Sequence, residues 1–230
     1  MHSIFDYPES PAARTRWIES RRAAAPAKNP LSPWEPYAYL QEREVGPNGE
    51  QVPTATVFLT NRECPWRCLM CDLWTNTLPD SVPPGAIASQ IRAALGALPP
   101  ARQIKLYNAG SFFDPGAIPK NEHAEIAALL GGFERVIVES HPALVGEACL
   151  RFRDLLHGGL EVAMGLETVH PGVLPRLNKR MPIELFRCAE QFLTGDGDAL
   201  RAFLLPRLPF VHERECWILT ALSPHSASDR

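Results

Sequence analysis

Cys64, Cys68 and Cys71 put three of the chain's six cysteines within eight residues, in the segment Glu63-Cys64-Pro65-Trp66-Arg67-Cys68-Leu69-Met70-Cys71-Asp72. Three thiolates on one short loop can converge on a single metal centre. An apolar, β-rich run from Ala55 to Thr60 leads into the loop, so the loop leaves the end of a buried strand. No fourth cysteine or histidine follows at short spacing to close a tetrahedral cage. Three protein ligands with one open position is the arrangement of a reactive metal site. Two other readings stand beside this one. Zinc would need a fourth ligand, for which Asp72 or His123 is present but at no usual zinc spacing. A disulfide with a spare thiol requires an oxidising compartment. The remaining cysteines, Cys149, Cys188 and Cys216, are scattered at helical positions and read as core thiols.

The elements that would position the loop follow a regular rhythm. Thr54–Thr60, Gln103–Tyr107, Arg135–Glu139, Leu160–Gly165 and Ala199–Leu205 are short apolar runs and are predicted as strands. Helices are expected between them: Pro83 to Leu98, Glu122 to Leu130 capped by Asn121, Leu144 to Leu156, and Pro182 to Leu193. Strand then helix, repeated at intervals of roughly 30 residues, builds right-handed βαβ units around a parallel sheet. In such folds chemistry gathers at the carboxyl ends of the strands. The polar residues collect there: the cysteines, then Asn108 and Ser111, then Glu139, Ser140 and His141, then Glu167 and Thr168. Each also has a plainer reading. Glu139 and Glu167 could cap helices or pair with Arg176 or Arg180. His141 and His170 sit in loops before prolines and read as loop-structuring. Trp66 and Trp74 flank the cysteine loop as shields or as packing.

Cys-x3-Cys-x2-Cys after a first strand resembles the radical S-adenosylmethionine (SAM) enzymes. In that family three such cysteines bind a 4Fe-4S cluster, SAM chelates the remaining iron, and one electron cleaves SAM to give a radical that abstracts hydrogen. The resemblance departs at Met70, where the family usually has an aromatic residue. It continues after the second strand, where Ala109-Gly110-Ser111 stands at the family's Gly-Gly-Glu-like element without its carboxylate. Glu139-Ser140-His141-Pro142, Gly165-Leu166-Glu167-Thr168 and the run Val173 to Arg180 are similar to segments of the Elongator-type branch. The phrases Asn-Ala-Gly-Ser-Phe-Phe-Asp and Met-Gly-Leu-Glu-Thr-Val-His-Pro resemble the archaeosine-synthase radical SAM subunit, which acts on a tRNA base. The resemblance implies a partial (βα)6 TIM-like barrel. It also implies a 4Fe-4S cluster on Cys64, Cys68 and Cys71, and SAM held by Asn108, Gly110, Ser111, Glu139 and Glu167. An electron donor such as flavodoxin or ferredoxin is the implied partner, with tRNA as a possible substrate.

Composition is that of an ordinary globular chain: 230 residues, 45% hydrophobic, 21% charged, net charge −3. The charge gives no reason for non-specific nucleic-acid binding, and no apolar run approaches the ~20 residues of a membrane span. The N-terminus lacks a secretory signal, so a cytoplasmic location is expected. Residues 1–52 read as an accessory segment containing a helix capped by Ser10, solvated basic residues Arg21, Arg22 and Lys28 (or a lid made from them), and a hairpin turning at Gly46-Pro47-Asn48-Gly49. Residues 53–222 read as the core barrel, closing with a helix near Glu213–Leu222, and 223–230 as a disordered tail. A sixth strand is not found in the sequence, so a C-terminally shortened barrel is expected, with an open edge that a protein partner would cover. The rival reading is a non-catalytic iron–sulfur or zinc-binding paralogue.

Overall fold

The computed structural model describes residues 6–46 and 48–211. The expected helix near 213–222, Cys216 and the tail lie outside these residues. Six strands form one sheet in the order β1-β2-β3-β4-β5-β6. They are β1 (Ala38–Val45), β2 (Gln51–Leu59), β3 (Gln103–Asn108), β4 (Arg135–Glu139), β5 (Gly159–Glu167) and β6 (Ala199–Leu204). β1 pairs antiparallel with β2, and every later pair is parallel. The helices are α1 (Pro11–Ala23), α2 (Ala86–Ala97), α3 (His123–Leu129), α4 (Glu147–Arg153) and α5 (Ile183–Gly195). The fold is thus α/β, with a mostly parallel six-stranded sheet.

The two faces of the sheet differ in chemistry. Ala55, Val57, Leu59, Ile104, Leu106, Val136, Val138, Leu160, Val162 and Met164 alternate onto one face and merge with Ile87, Ile91, Phe112, Ile126, Phe152, Phe186 and Leu193 in the main core. The other face is polar. Register aligns Thr56, Lys105, Ile137 and Glu161 in one row across it. Arg201 on β6 donates through Nη1 and Nη2 to the two carboxylate oxygens of Glu44 on β1, both at 2.9 Å. These strands are at opposite ends of the sheet order, so the sheet is rolled into a trough with this polar face inside. A helix-covered parallel sheet buries both faces, and here the inner one is filled by ion pairs instead of aliphatic layers.

Several expectations shift at element ends. α1 begins where Ser10 and Pro11 predict it, with Ser10 Oγ accepting from the Ala13 N–H at 3.3 Å. α3 begins later than expected because a 3-10 turn, Lys120–Glu122, precedes it, and no side chain caps it. Glu122 instead accepts the Gly85 N–H at 3.0 Å at the start of α2. The hairpin turn falls as predicted between β1 and β2. The boundary at residue 52 does not, since β2 starts at Gln51 and β1 pairs with it from Ala38↔Phe58 to Val45↔Gln51. β1 and the first residues of β2 therefore belong to the sheet. Cys149 is buried in α4 as expected, but Cys188 is exposed on α5.

Candidate metal and cofactor site

The ladder of β2 stops at Leu59, and the chain must turn there without leaving buried backbone unpaired. α2 supplies the solution. The Gln90 side chain, fully buried, accepts the Thr60 N–H at 2.8 Å and donates to the Thr60 carbonyl at 2.9 Å. The cysteine loop then closes on itself: Leu78 N–H donates to the Asn61 carbonyl at 2.9 Å and Glu63 N–H to the Leu78 carbonyl at 3.1 Å. Between these ties lie all three cysteines.

One cavity of about 390 Å³ opens at the carboxyl ends of the strands. Cys64, Cys68 and Cys71 line it with Asn108, Gly110, Glu139, Gly165, Glu167, Lys179, Trp66, Trp74 and Phe203. Among the described residues, no three His, Cys, Asp or Glu side chains stand close enough to form a ready metal cage. The three thiols share a wall instead. Burial raises the pKa of each, that of Cys68 to about 12. They are neutral at ordinary pH, and a binding metal would have to draw them together and displace their protons. Three soft sulfur donors on one loop fit an iron–sulfur cluster, while the histidine of the cavity wall, His141, has both ring nitrogens engaged, Nδ1 with the Ala143 N–H and Nε2 with the Lys179 carbonyl. His123, a possible zinc ligand from sequence, is packed among Phe112, Phe113 and Phe152 and is not part of the cavity wall.

Asn108 ends β3 and is 1% exposed, yet neither its Oδ1 nor its Nδ2 has a partner among the described residues. Leaving a buried polar atom unpaired costs about 1–3 kcal/mol, so this amide is a standing demand for a ligand group. Gly110 brings backbone close: a Cβ there would lie 3.6 Å from Cys64 Cβ and 3.5 Å from Asn108 Nδ2. Ser111 is different. It is fully buried behind the wall, with Oγ 2.9 Å from Ser140 Oγ and accepting the His141 N–H at 3.1 Å. It does not line the cavity, and its hydroxyl knits the β3 and β4 ends together.

Glu139 faces the cavity while protein surrounds it on its other sides. Burial raises its pKa to about 7, although its Oε2 accepts the Asn108 N–H at 3.2 Å. Glu167 pairs with neither Arg176 nor Arg180, but with Lys179, whose Nζ lies 2.6 Å from Oε1 and donates to the Gly165 carbonyl at 2.5 Å. Sequence reasoning did not single out Lys179. Its signal in the sequence is the run Leu177-Asn178-Lys179-Arg180. Here it sits between two residues at positive φ, Asn178 (56°) and Arg180 (55°). Arg67 (54°) and Glu167 (64°), which line the cavity, share that left-handed conformation, so of the five non-glycine residues with positive φ among the described residues two line the cavity and two flank Lys179, which also lines it. Such strain persists where surrounding contacts over-determine it. Those contacts are present. Asn178 Nδ2 donates to the Arg67 carbonyl at 3.0 Å, Leu69 N–H to the Leu177 carbonyl at 2.9 Å, and His141 Nε2 lies 3.0 Å from the Lys179 carbonyl.

The two histidines behave as the loop reading expected. His141 Nδ1 accepts the Ala143 N–H, and His170 Nδ1 accepts the Gly172 N–H. His141 also stacks on Trp66, with centroids 4.0 Å apart and an 11° interplanar angle. Arg22 and Lys28 are not simply solvated. Both reach Glu63, at 2.9 and 2.5 Å.

No family model matches the chain. Over 217 residues it is 23% identical to an uncharacterized protein of Methanocaldococcus jannaschii, MJ0550. The alignment takes in 88% of this chain and 58% of that protein, so the chain spans little more than half the length of its relative.

Proposed function

We propose that the chain is a radical SAM enzyme built on a partial (βα)6 TIM-like barrel, with a 4Fe-4S cluster on Cys64, Cys68 and Cys71. The observation that carries this reading is one of placement. Three cysteines on a single loop after the first parallel strand face, across one cavity, an unpartnered Asn108 amide and the buried carboxyl of Glu139. When bound, the cluster supplies one electron to SAM, whose cleavage provides the means of hydrogen abstraction.

The chain's own residues bind and orient. The Asn108 amide offers a donor and an acceptor to the cofactor, and Gly110 lets that ligand approach the backbone beside Cys64. The Glu167–Lys179 pair presents both charges at the cavity wall, matched to a zwitterionic amino-acid group. Glu139 holds a proton near neutrality and donates or accepts accordingly. The stacked Trp66 and His141 rings form an apolar slab that excludes water from the loop side. A tRNA-type substrate, an electron-donating flavodoxin or ferredoxin and a protein partner along the outer edge of β6 belong to the same proposal.

The test is anaerobic reconstitution with iron and sulfide, then dithionite and SAM, assaying 5′-deoxyadenosine. The expected result is deoxyadenosine from the wild type and none from Cys68→Ala. Iron bound without deoxyadenosine would support the non-catalytic iron–sulfur reading, and zinc in place of iron would overturn both.

A further inference from the structure

The cysteine loop is held by one carboxylate. Glu63 precedes the first cysteine and is surrounded by three cations: Arg22 Nη1 at 2.9 Å, Lys28 Nζ at 2.5 Å and Arg67 Nη1 at 3.1 Å. Its side chain is 16% exposed and that of Arg22 is 12% exposed, while Arg67 and Lys28 lie toward solvent, so the cluster is half-buried with Glu63 and Arg22 at its inner side. Two of the three cations also hold the loop backbone. Arg22 Nη2 donates to the Cys68 carbonyl at 3.3 Å, and Arg67 Nη1 donates to the Cys64 carbonyl. Glu63 therefore aligns the two guanidinium groups that fix two of the three cysteines.

Arg22 and Lys28 both come from the segment before the sheet, and further bonds tie that segment to the loop. Lys28 Nζ donates to Thr77 Oγ1 at 2.9 Å, Asn29 N–H to the Thr75 carbonyl at 2.9 Å, and Asn29 Nδ2 to Asn76 Oδ1 at 2.7 Å. Arg22 also lies over the Trp74 ring, 5.3 Å from its centroid. Glu19 adds a second carboxylate at the outer side, its Oε1 3.7 Å from Arg67 Nε, so the three cations face two carboxylates. A planar fork bonded at once to a carboxylate and to a backbone carbonyl fixes an angle as well as a distance.

We propose that Glu63 is the positioning residue of the cysteine loop, and that the strap carrying Arg22 and Lys28 sets the presentation of Cys64 and Cys68 to a metal. The inference rests on reading those cysteines as metal ligands. Its test, however, has a readout that needs no metal.

Metal-free, reduced protein in chelator is treated with iodoacetamide, and alkylation is followed cysteine by cysteine by mass spectrometry. Buried Cys149 reports general loosening and exposed Cys188 reports the reagent. In Glu63→Gln and in Arg22→Gln, alkylation of Cys64 and Cys68 is expected to quicken roughly tenfold while Cys149 stays at the wild-type rate, as for a local opening. Arg22→Lys keeps the charge but loses the fork and is expected to fall between. In reconstituted protein, transfer of iron to a chelating dye is expected to quicken by a similar factor. Wild-type alkylation rates at Cys64 and Cys68 in both variants would overturn the proposal. So would parallel acceleration of Cys149. If the wild type takes up no iron but the alkylation pattern appears, the metal reading fails and the positioning role of Glu63 stands.

Discussion

The two ends of the trough solve the problem of polar groups inside a fold in opposite ways. At the floor, charges cancel within the protein. Lys105 Nζ lies 2.7 Å from Glu42 and 2.5 Å from Glu44, Arg201 binds Glu44 and reaches Glu161 at 2.6 Å, and Arg135 reaches Glu161 at 2.8 Å. Three carboxylates meet three cations with nothing left over. At the mouth partners are withheld: among the described residues the Asn108 amide is unpaired and Glu139 is buried with no cation paired to it, while Arg67 and Glu167 in the wall bear left-handed strain. A satisfied network makes one structure, whereas an unsatisfied one waits for a ligand.

Breaking the floor should have the largest effect. Arg201→Met leaves Glu44 and Glu161 short of a partner and should cost about 3 kcal/mol in urea unfolding. A loss below about 1 kcal/mol would show that the floor is no more than surface pairing.

Acid and base should separate the two ends by sign. Glu44, held by Arg201 and Lys105, has its pKa lowered to about 2. Its contribution is present above the ordinary carboxylate value near 4.5 and is lost as pH falls toward 2, by about 2 kcal/mol. Glu139 has its pKa raised to about 7 by burial. Its contribution is present below 4.5 and is lost as pH rises through 7, by about 2–3 kcal/mol. Unfolding free energies of Glu139→Gln against wild type should therefore diverge between pH 4.5 and 7, and those of Glu44→Gln should converge with wild type toward pH 2. Parallel curves for Glu139→Gln would remove the distinction.

Smaller effects sharpen the picture of the mouth. A Cβ on Gly165 would lie 2.2 Å from both Glu167 Oε1 and Lys179 Nζ. Gly165→Ala must push that pair aside, at a cost of about 1–2 kcal/mol by thermal unfolding. Arg180→Gly relieves positive φ and gives up one bond to Thr15 Oγ1 at 3.2 Å. It should be stabilising by about 0.5 kcal/mol, since the relief of strain exceeds the freedom added to the unfolded chain.

The mouth was partly legible in the sequence and the floor was not. Cysteine spacing and apolar runs locate the loop and the five parallel strands because both are local patterns. Lys105, Glu161 and Arg201 sit inside strands read as apolar, and only their neighbours across the sheet explain them. Glu42 and Glu44 precede the predicted hairpin turn with nothing to mark them as inward, because no periodicity says that a sheet rolls up. Ser111 was expected in the cavity and Lys179 was passed over for a related reason. Which way a loop side chain turns depends on φ at residues such as Asn178, and that conformation is imposed by distant contacts. Arg22 and Lys28 read as solvated because their partner lies about forty residues away, at Glu63.

The bond from Arg201 to Glu44 spans 157 residues. On a ribosome the β1–β2 hairpin emerges early and pairs at once, but its two floor carboxylates remain half-served until nearly all of the described chain has been made. Closure of so long a loop is slow, and it comes last. Vectorial synthesis therefore leaves this pairing for a late step, in which β6 completes what β1 began.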